Sequence, residues 1–287
     1  MKQYTIALLL IISLFGIFTV ISYLSTKNIN TGTTMAANVI GVYPPTFKED
    51  GVLDESGNMK ESHSLRWWLN SGGILFFKDK KARTIYGNLP KYSYWRIIYY
   101  LSNSKDTDNG YHPQNIFRLV TKSKWKNFTQ EAYFRIIKNN FSESENRNQS
   151  NGLLLFNRYL DGDNLYYTGI RVDGAAVIKK KIKGKYFTMA YKKIFDGKYN
   201  RKSNPNLLPQ NTWLGVKSEV VTLDNNNVQI KLFVDKYKTG NWELVLEAID
   251  DGRSYGKSVI SNQGYAGIRT DFMDVEFDDY KVEELSL

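Results

Sequence analysis

Cysteine is absent from this chain of 287 residues, and histidine occurs only twice, as His63 and His112. Without a thiol there is no disulfide, no thiolate metal site and no cysteine nucleophile. Two histidines are also too few for the multi-histidine zinc sites that proteins use. The stability of the fold must therefore come from packing.

Several well-known catalytic motifs are missing as well. The sequence contains no phosphate-binding glycine loop, no HExxH, no EF-hand loop and no GxSxG. The enzyme and calcium-sensor classes that depend on those motifs are therefore excluded. Proline is scarce, at six residues, and a charged fraction of 24% does not indicate disorder.

The chain is rich in aromatic side chains and in positive charge. Aromatic residues make up 14% of it, which favours strands over helices. The 39 lysines and arginines exceed the 29 acidic residues and give a net charge of +10. Such a charge favours anionic partners, such as acidic glycans or a membrane surface, although lysines spread this widely also serve solubility alone. No OB or RRM signature occurs, and nucleic acid is not expected as a partner.

The N-terminal run 4–24 contains no charged residue and follows Lys2. It has about the ~20 residues that a bilayer-spanning helix needs. The pattern predicts export, with an uncleaved membrane anchor favoured and a cleaved signal peptide as the alternative. We therefore expect a signal anchor or signal peptide over 1–26, a linker over 27–45 and an extracytoplasmic domain over 46–287.

The remainder of the chain reads as many short strands separated by turn sequences such as DGDN, DNNN and KTGN. In VQIKLFVD, Ile230 and Leu232 share one face while Lys231 lies on the other, which is typical of an antiparallel sheet with one buried side. The segment YWRIIYYLS, 94–102, also reads as a strand. We expect an all-β antiparallel sandwich after one N-terminal hydrophobic helix.

Three stretches carry a family resemblance: GLLLFNRYLDGDNLYYTGIRVDG, VQIKLFVDKYKTGNWELVLEAIDDG and GYAGIRTDFMDVEFDDYKVEEL. Together they resemble the concanavalin A-like, laminin-G-like jelly rolls of extracellular carbohydrate proteins over about residues 110–285. The residues that match the closing-strand pattern of that superfamily are Gly264, Gly267, Ile268, Arg269, Phe277, Asp278, Asp279 and Val282. The resemblance implies a curved sandwich whose concave face meets glycans.

The resemblance also implies a structural calcium ion in some members, held by acidic residues near the closing strand. Asp278 and Asp279 are the candidates here, because carboxylate oxygens at a strand bend suit Ca²⁺. The alternative is that the two aspartates form a solvated β-bulge, where the apolar phase of the strand changes.

The function that follows from the resemblance is binding of a polysaccharide by an exported or membrane-anchored module, and the net charge favours an acidic polysaccharide. The candidate carbohydrate-binding residues are Tyr167, Arg171, Lys179, Trp68 and Trp213. The alternative for the tyrosines and tryptophans is ordinary packing within the sheets. A non-catalytic module that binds another protein is a further alternative.

Whether the chain is an enzyme stays open. The three-carboxylate ExDxxE pattern of jelly-roll glucanases is missing, which disfavours retaining glycoside hydrolysis. A polysaccharide lyase instead needs a cation to neutralise a uronate and a Tyr or His to move the proton. The candidate lyase residues are Arg158, Arg171, Lys181, Tyr186 and His112.

Overall fold

A computed structural model describes residues 42–43 and 50–285 of the chain. Within these residues the protein is an all-β antiparallel sandwich of two sheets, as the sequence predicted. The predicted N-terminal helix and most of the predicted linker lie outside the described residues. No helix in the described ranges is long and apolar enough to cross a bilayer.

The nine-stranded sheet consists, in spatial order, of β14 (Glu243–Asp250), β13 (Val228–Lys236), β12 (Trp213–Thr222), β7 (Phe128–Asn139), β16 (Met273–Glu284), β5 (Lys81–Arg83), β4 (Ile74–Lys78) and β2 (Gly51–Asp54), with β1 (Val42–Tyr43) paired to β16. The seven-stranded sheet consists of β11 (Lys185–Lys193), β10 (Ala175–Ile182), β9 (Asn164–Arg171), β8 (Gly152–Asp161), β15 (Gly264–Asp271), β6 (Ile116–Trp125) and β3 (Trp67–Ser71). The pairs in both sheets are antiparallel.

The main core lies between the two sheets and is filled by alternate residues of each strand. In β13, the buried positions are Val228, Ile230, Leu232 and Val234. They meet the inward positions of the other sheet, such as Ile170 and Ile178. This is the two-layer solution expected when each strand offers one apolar face, because apolar surface is most easily buried against apolar surface.

The segment Tyr94–Ser102 is an α-helix, α1, and the strand prediction for it is wrong. It follows Pro90, and one side of the helix buries Tyr99. The hydroxyl of Tyr99 donates to Glu55 and accepts the N–H of Gly72, and the indole N–H of Trp95 donates to Asp54, so both residues hold the helix against the sandwich. Tertiary contacts have overridden the strand preference of aromatic and β-branched residues.

The predicted bulge in β16 is confirmed. The register with β7 shifts between Asp278 and Lys281. Asp279 has a φ of 48°, in the left-handed region. The extra residue is what changes the phase, so that Val282 returns to the core face of the strand.

A buried ion pair ties the end of β14 to β10 of the seven-stranded sheet. The ammonium of Lys180 lies 2.6 Å from the carboxylate of Asp250, and both side chains are fully buried. Tyr166 donates to the same carboxylate at 2.6 Å, and Lys180 also donates to the Ser258 carbonyl. The N–H of Ile260 donates to the Tyr166 hydroxyl. A charge this deep is tolerated only while its partners remain.

We expect Asp250→Ala to destabilise the domain by about 3–5 kcal/mol, because it leaves the Lys180 ammonium buried without a counter-ion. Urea unfolding of the variant against the unmodified chain measures the difference. Glu145→Ala is the matched control, since it removes the acid of the Lys105 pair, which is exposed, and should cost about 1 kcal/mol or less. Equal effects of the two substitutions would contradict this account of the buried pair.

Candidate functional site

The outer face of the seven-stranded sheet, which points away from the other sheet, carries its own cluster of side chains. Leu154, Phe156, Tyr167 and Val177 lie on it, while their chain neighbours Leu153, Leu155, Tyr166 and Ile178 lie in the core. The register aligns Lys179 with Tyr167, Tyr167 with Phe156, and Leu154 with Arg269. Polar and aromatic residues from four adjacent strands therefore share this face.

A cavity of about 390 Å³ opens on this outer face. Its sheet side is formed by β6, β8, β9, β10, β11 and β15, and its other side by loops. The residues that line it are Asp106, Ile116, Arg118, Asn146, Asn148, Ser150, Asn151, Leu154, Tyr167, Val177, Lys179, Tyr186, Arg269, Asp271 and Phe272. Gly169 lies between Leu154 and Val177 in register, and a Cβ there would fall 2.2 Å from the Leu153 carbonyl oxygen.

Hydrogen bonds in the cavity link Asp271, Arg269 and the phenol of Tyr167, and Tyr186 lies beside them. Arg269 donates from Nε and Nη2 to one carboxylate oxygen of Asp271, both at 2.8 Å, and from Nη1 to the Tyr167 hydroxyl at 3.0 Å. The ring of Tyr186 lies beside that of Tyr167, 6.1 Å away centroid to centroid. The guanidinium is thus held by Asp271, and it orients the Tyr167 phenol.

The pKa values of the two phenols are shifted in opposite directions. Burial, above all, raises the pKa of Tyr167 to about 12, although Arg269 acts against it. Burial also acts to raise the pKa of Tyr186, but the charges of Arg269 and Lys181 and the hydrogen bonds from Tyr167 and Arg269 outweigh it. The pKa of Tyr186 is therefore held below the ordinary value for tyrosine. Such a phenol forms its anion more readily and can accept a proton.

The cavity carries positive charge that the described residues do not neutralise. Arg118 lies opposite Arg269 on the neighbouring strand and forms no salt bridge within the described part of the chain. Lys179 likewise forms none there. Burial, followed by the charge of Arg171, lowers the pKa of Lys179. An anion bound close to Lys179 would raise this pKa again, because an opposite charge stabilises the protonated form of the lysine.

The loop side of the cavity is rich in acceptors. Asp106 accepts hydrogen bonds from Ser144 and Asn146, which belong to the polar stretch after β7. Burial acts to raise the pKa of Asp106, but these hydrogen bonds outweigh it and hold the pKa below its ordinary value. Asn148 and Asn151 stabilise the same stretch through the Asn148 N–H, which donates to the Asn151 side chain at 2.6 Å.

Three of the residues nominated from the sequence, Tyr167, Lys179 and Tyr186, line the cavity together. Lys181 lies beside it, with its ammonium 5.0 Å from the centre of the Tyr186 ring and 3.1 Å from Asp163. Arg171 is buried outside the cavity lining, where it donates to Asp173 at 2.7 Å and to the Gln149 carbonyl. Arg171 therefore acts on the site through the pKa of Lys179.

Two of the proposed lyase residues lie elsewhere. The structure places Arg158 in the core, with a φ of 48° at a bulge that turns its side chain inward. There its guanidinium donates to Thr222 of the other sheet and to the carbonyls of Lys126 and Ile260. His112 precedes a short 3₁₀ helix (Pro113–Asn115) and pairs with Asp108 at 2.7 Å, outside the cavity lining.

The two nominated tryptophans lie on different sheets. Trp68, on β3, packs at the edge of the outer-face cluster and donates its indole N–H to the Ser56 carbonyl. Trp213, on β12, belongs to the nine-stranded sheet, where Arg135 lies 4.8 Å from its ring centre. Neither lines the cavity.

The two aspartates proposed as calcium ligands both form salt bridges with a lysine. The ammonium of Lys238 lies 2.6 Å from Asp278 and 2.9 Å from Asp279. Because this ammonium stands where a cation would bind, the pair does not fit a calcium ion. No group of three or more His, Asp or Glu side chains that could hold a metal occurs among the described residues.

Sequence reasoning missed Arg118, Arg269 and Asp271 as site residues. Arg269 belongs to the closing-strand pattern, but no charge partner could be assigned to it from sequence alone. A signal was nevertheless present, because Arg118 and Arg269 are single cations within apolar strand sequences, FRLV and GIRT. A lone charge in a strand buried on both faces marks a position that opens to solvent or to a ligand.

No protein-family model and no curated protein sequence matches this chain. Similar solved structures include the carbohydrate-binding module CBM66 from Bacillus subtilis (17% identity, TM-score 0.42, 60% of this chain and 83% of that one). Others are a protein of unknown function with a galectin-like fold from Bacillus subtilis (14%, 0.43, 82% and 97%) and the GH43 protein BlXynB from Bacillus licheniformis (11%, 0.47, 90% and 41%). Identities this low leave the ligand and activity of this chain to be inferred from the cavity.

Proposed function

We propose that this protein binds an acidic polysaccharide in the cavity on the outer face of the seven-stranded sheet. The observation that carries the proposal is that Arg118 and Lys179 line the cavity without a salt bridge among the described residues, beside the phenols Tyr167 and Tyr186. Guanidinium and ammonium groups pair with carboxylates, and phenol rings offer flat faces and hydroxyls to sugar rings. The net charge of +10 attracts a polyanion over a longer range.

The geometry favours a carboxylated ligand over a neutral one. An incoming carboxylate between Arg118 and Lys179 would offset the like-charge repulsion of the cationic side. A neutral glycan would leave both cations partly desolvated without compensation. Affinity should therefore fall as salt is added, because screening weakens the attraction between ligand and site.

Loss of Lys179 should weaken binding of alginate, glucuronan or heparin fragments. For Lys179→Ala we expect a loss of about 1.5–3 kcal/mol, roughly a tenfold to hundredfold rise in Kd, because a charge-assisted contact is removed. Isothermal titration calorimetry at low salt measures it. Lys231→Ala is the control, since it removes a cation from the nine-stranded sheet. Absence of binding to every acidic polymer, or equal losses in the two variants, would contradict the proposal.

A second candidate function, β-elimination on the bound uronate, is favoured by the lowered pKa of Tyr186. The Tyr186 phenolate would take the proton from the carbon next to the carboxylate. The bond to the leaving oxygen then breaks, a carbon–carbon double bond forms, and the phenol returns the proton to that oxygen. Arg118 and Lys179 would stabilise the negative charge that develops on the carboxylate.

The rate of elimination should rise with pH through the Tyr186 pKa, because the phenolate is the active form, with a midpoint below the ordinary tyrosine value of about 10. Absorbance of the unsaturated uronate product reports the rate. Lys181→Ala should move the midpoint upward, because Lys181 helps to lower this pKa. Tyr186→Phe should abolish the product while binding persists. A flat absorbance with every uronate polymer would leave only the binding function.

We also infer that the domain works outside the cytoplasm, either anchored or released. The uncharged run 4–24 supports this inference, because it has the length and composition of an export segment. A cell-surface protein would meet polysaccharides directly. Fractionation of cells that express the full chain tests the localisation, and cytoplasmic recovery would oppose it.

A further inference from the structure

The cavity has two chemically different sides, and the difference bears on which acidic glycan it takes. The sheet side carries Arg118 and Lys179, which suit a carboxylate. The loop side carries Asp106, which repels one, and Asp271, paired with Arg269 at the end of β15, adds a second carboxylate to the lining. A polymer with a carboxylate on every unit would bring one unit against each side.

Asp271 offers an acceptor that is not used within the described residues. One of its oxygens, Oδ1, accepts both bonds from Arg269. The other, Oδ2, is buried and has no hydrogen-bond partner there, although the residue is only 2% exposed and lines the cavity. Buried polar atoms in native proteins are almost always hydrogen-bonded. This oxygen therefore calls for a donor that enters the cavity, and a sugar hydroxyl is such a donor.

Asp106 adds a negative charge on the same side. Ser144 and Asn146 donate to its carboxylate and keep it ionised. A uronate placed beside it would meet a like charge close by, which is unfavourable in a partly buried site. An uncharged unit would meet no such repulsion.

We propose that the cavity takes one uronate unit and one uncharged sugar unit side by side. The uronate carboxylate pairs with Arg118 and Lys179, and a hydroxyl of the uncharged unit donates to Oδ2 of Asp271. The ligand class is an acidic glycan in which uronates alternate with uncharged units, in preference to a uronate homopolymer. This inference rests on the proposed function and narrows it.

Two probes with equal numbers of sugar units test the preference: hyaluronan oligosaccharides, which alternate glucuronate with an uncharged amino sugar, and oligogalacturonates, which are charged on every unit. Simple charge attraction would favour oligogalacturonate, because it carries more carboxylates. We expect the reverse, with hyaluronan bound roughly tenfold more tightly, as one additional charge-assisted hydrogen bond allows. Tighter binding of oligogalacturonate would overturn the inference and leave the proposed function intact. Absence of binding to either probe would overturn both.

Two variants separate the contributions of the acidic residues. Asp271→Asn keeps an oxygen for Arg269 and places an amide N–H₂ where the sugar hydroxyl would donate, so the preference for hyaluronan should fall about tenfold. Asp106→Asn removes the repelling charge at a partly exposed position, so the affinity for oligogalacturonate should rise severalfold.

Asp224→Asn is the matched control. It removes one negative charge from the exposed turn between β12 and β13, outside the cavity. It should leave the ratio of the two dissociation constants unchanged. Equal ratios in all three variants and in the unmodified chain would overturn the assignment of Asp271 and Asp106. If Asp271→Asn fails to fold, the inference is tested by Asp106→Asn alone, and an unchanged affinity of that variant for oligogalacturonate would overturn it.

Discussion

The central strands of the seven-stranded sheet are covered on both faces. The side chains on the two faces of each strand therefore have different roles. In β9, Tyr166 points into the core and its neighbour Tyr167 points into the cavity. Because side chains alternate with a period of two, a register slip of one residue would exchange these roles throughout the sheet. The site therefore depends on the same strand pairing that holds the core, and it cannot form on an isolated strand.

The second determinant of the site is how its charges are arranged. Asp271 neutralises Arg269 and orients it toward Tyr167. Arg118 and Lys179, in contrast, form no salt bridge within the described residues. One arginine thus organises the site, and the other two cations remain for a ligand. The interior follows the same principle, since the buried Lys180 is tolerated because its ammonium pairs with Asp250 and donates to the Ser258 carbonyl. Arg158 is buried without an acidic partner, and its guanidinium is held by hydrogen bonds to Thr222 and to the carbonyls of Lys126 and Ile260 instead.

Much of the architecture could be predicted from alternation and turn sequences. The all-β sandwich and the bulge at Asp278 and Asp279 both follow from strand periodicity. The helix at Tyr94–Ser102 could not be predicted, because its residues favour strands and only the contacts of Trp95 and Tyr99 decide otherwise. The prediction that Arg158 lies in the site is wrong because its positive φ, at a bulge, turns the side chain into the core.

The sequence by itself determined the layer architecture, the excess of positive charge and the absence of thiol and multi-histidine chemistry, since these are properties of composition and local periodicity. The tertiary structure alone decided which cations meet which phenols. Arg118, Tyr167 and Arg269 are far apart in the chain and come together only because β6, β15, β8 and β9 are hydrogen-bonded in that order. Strand order is a long-range property, set by how the whole chain buries its apolar surface, and no short stretch of sequence contains it.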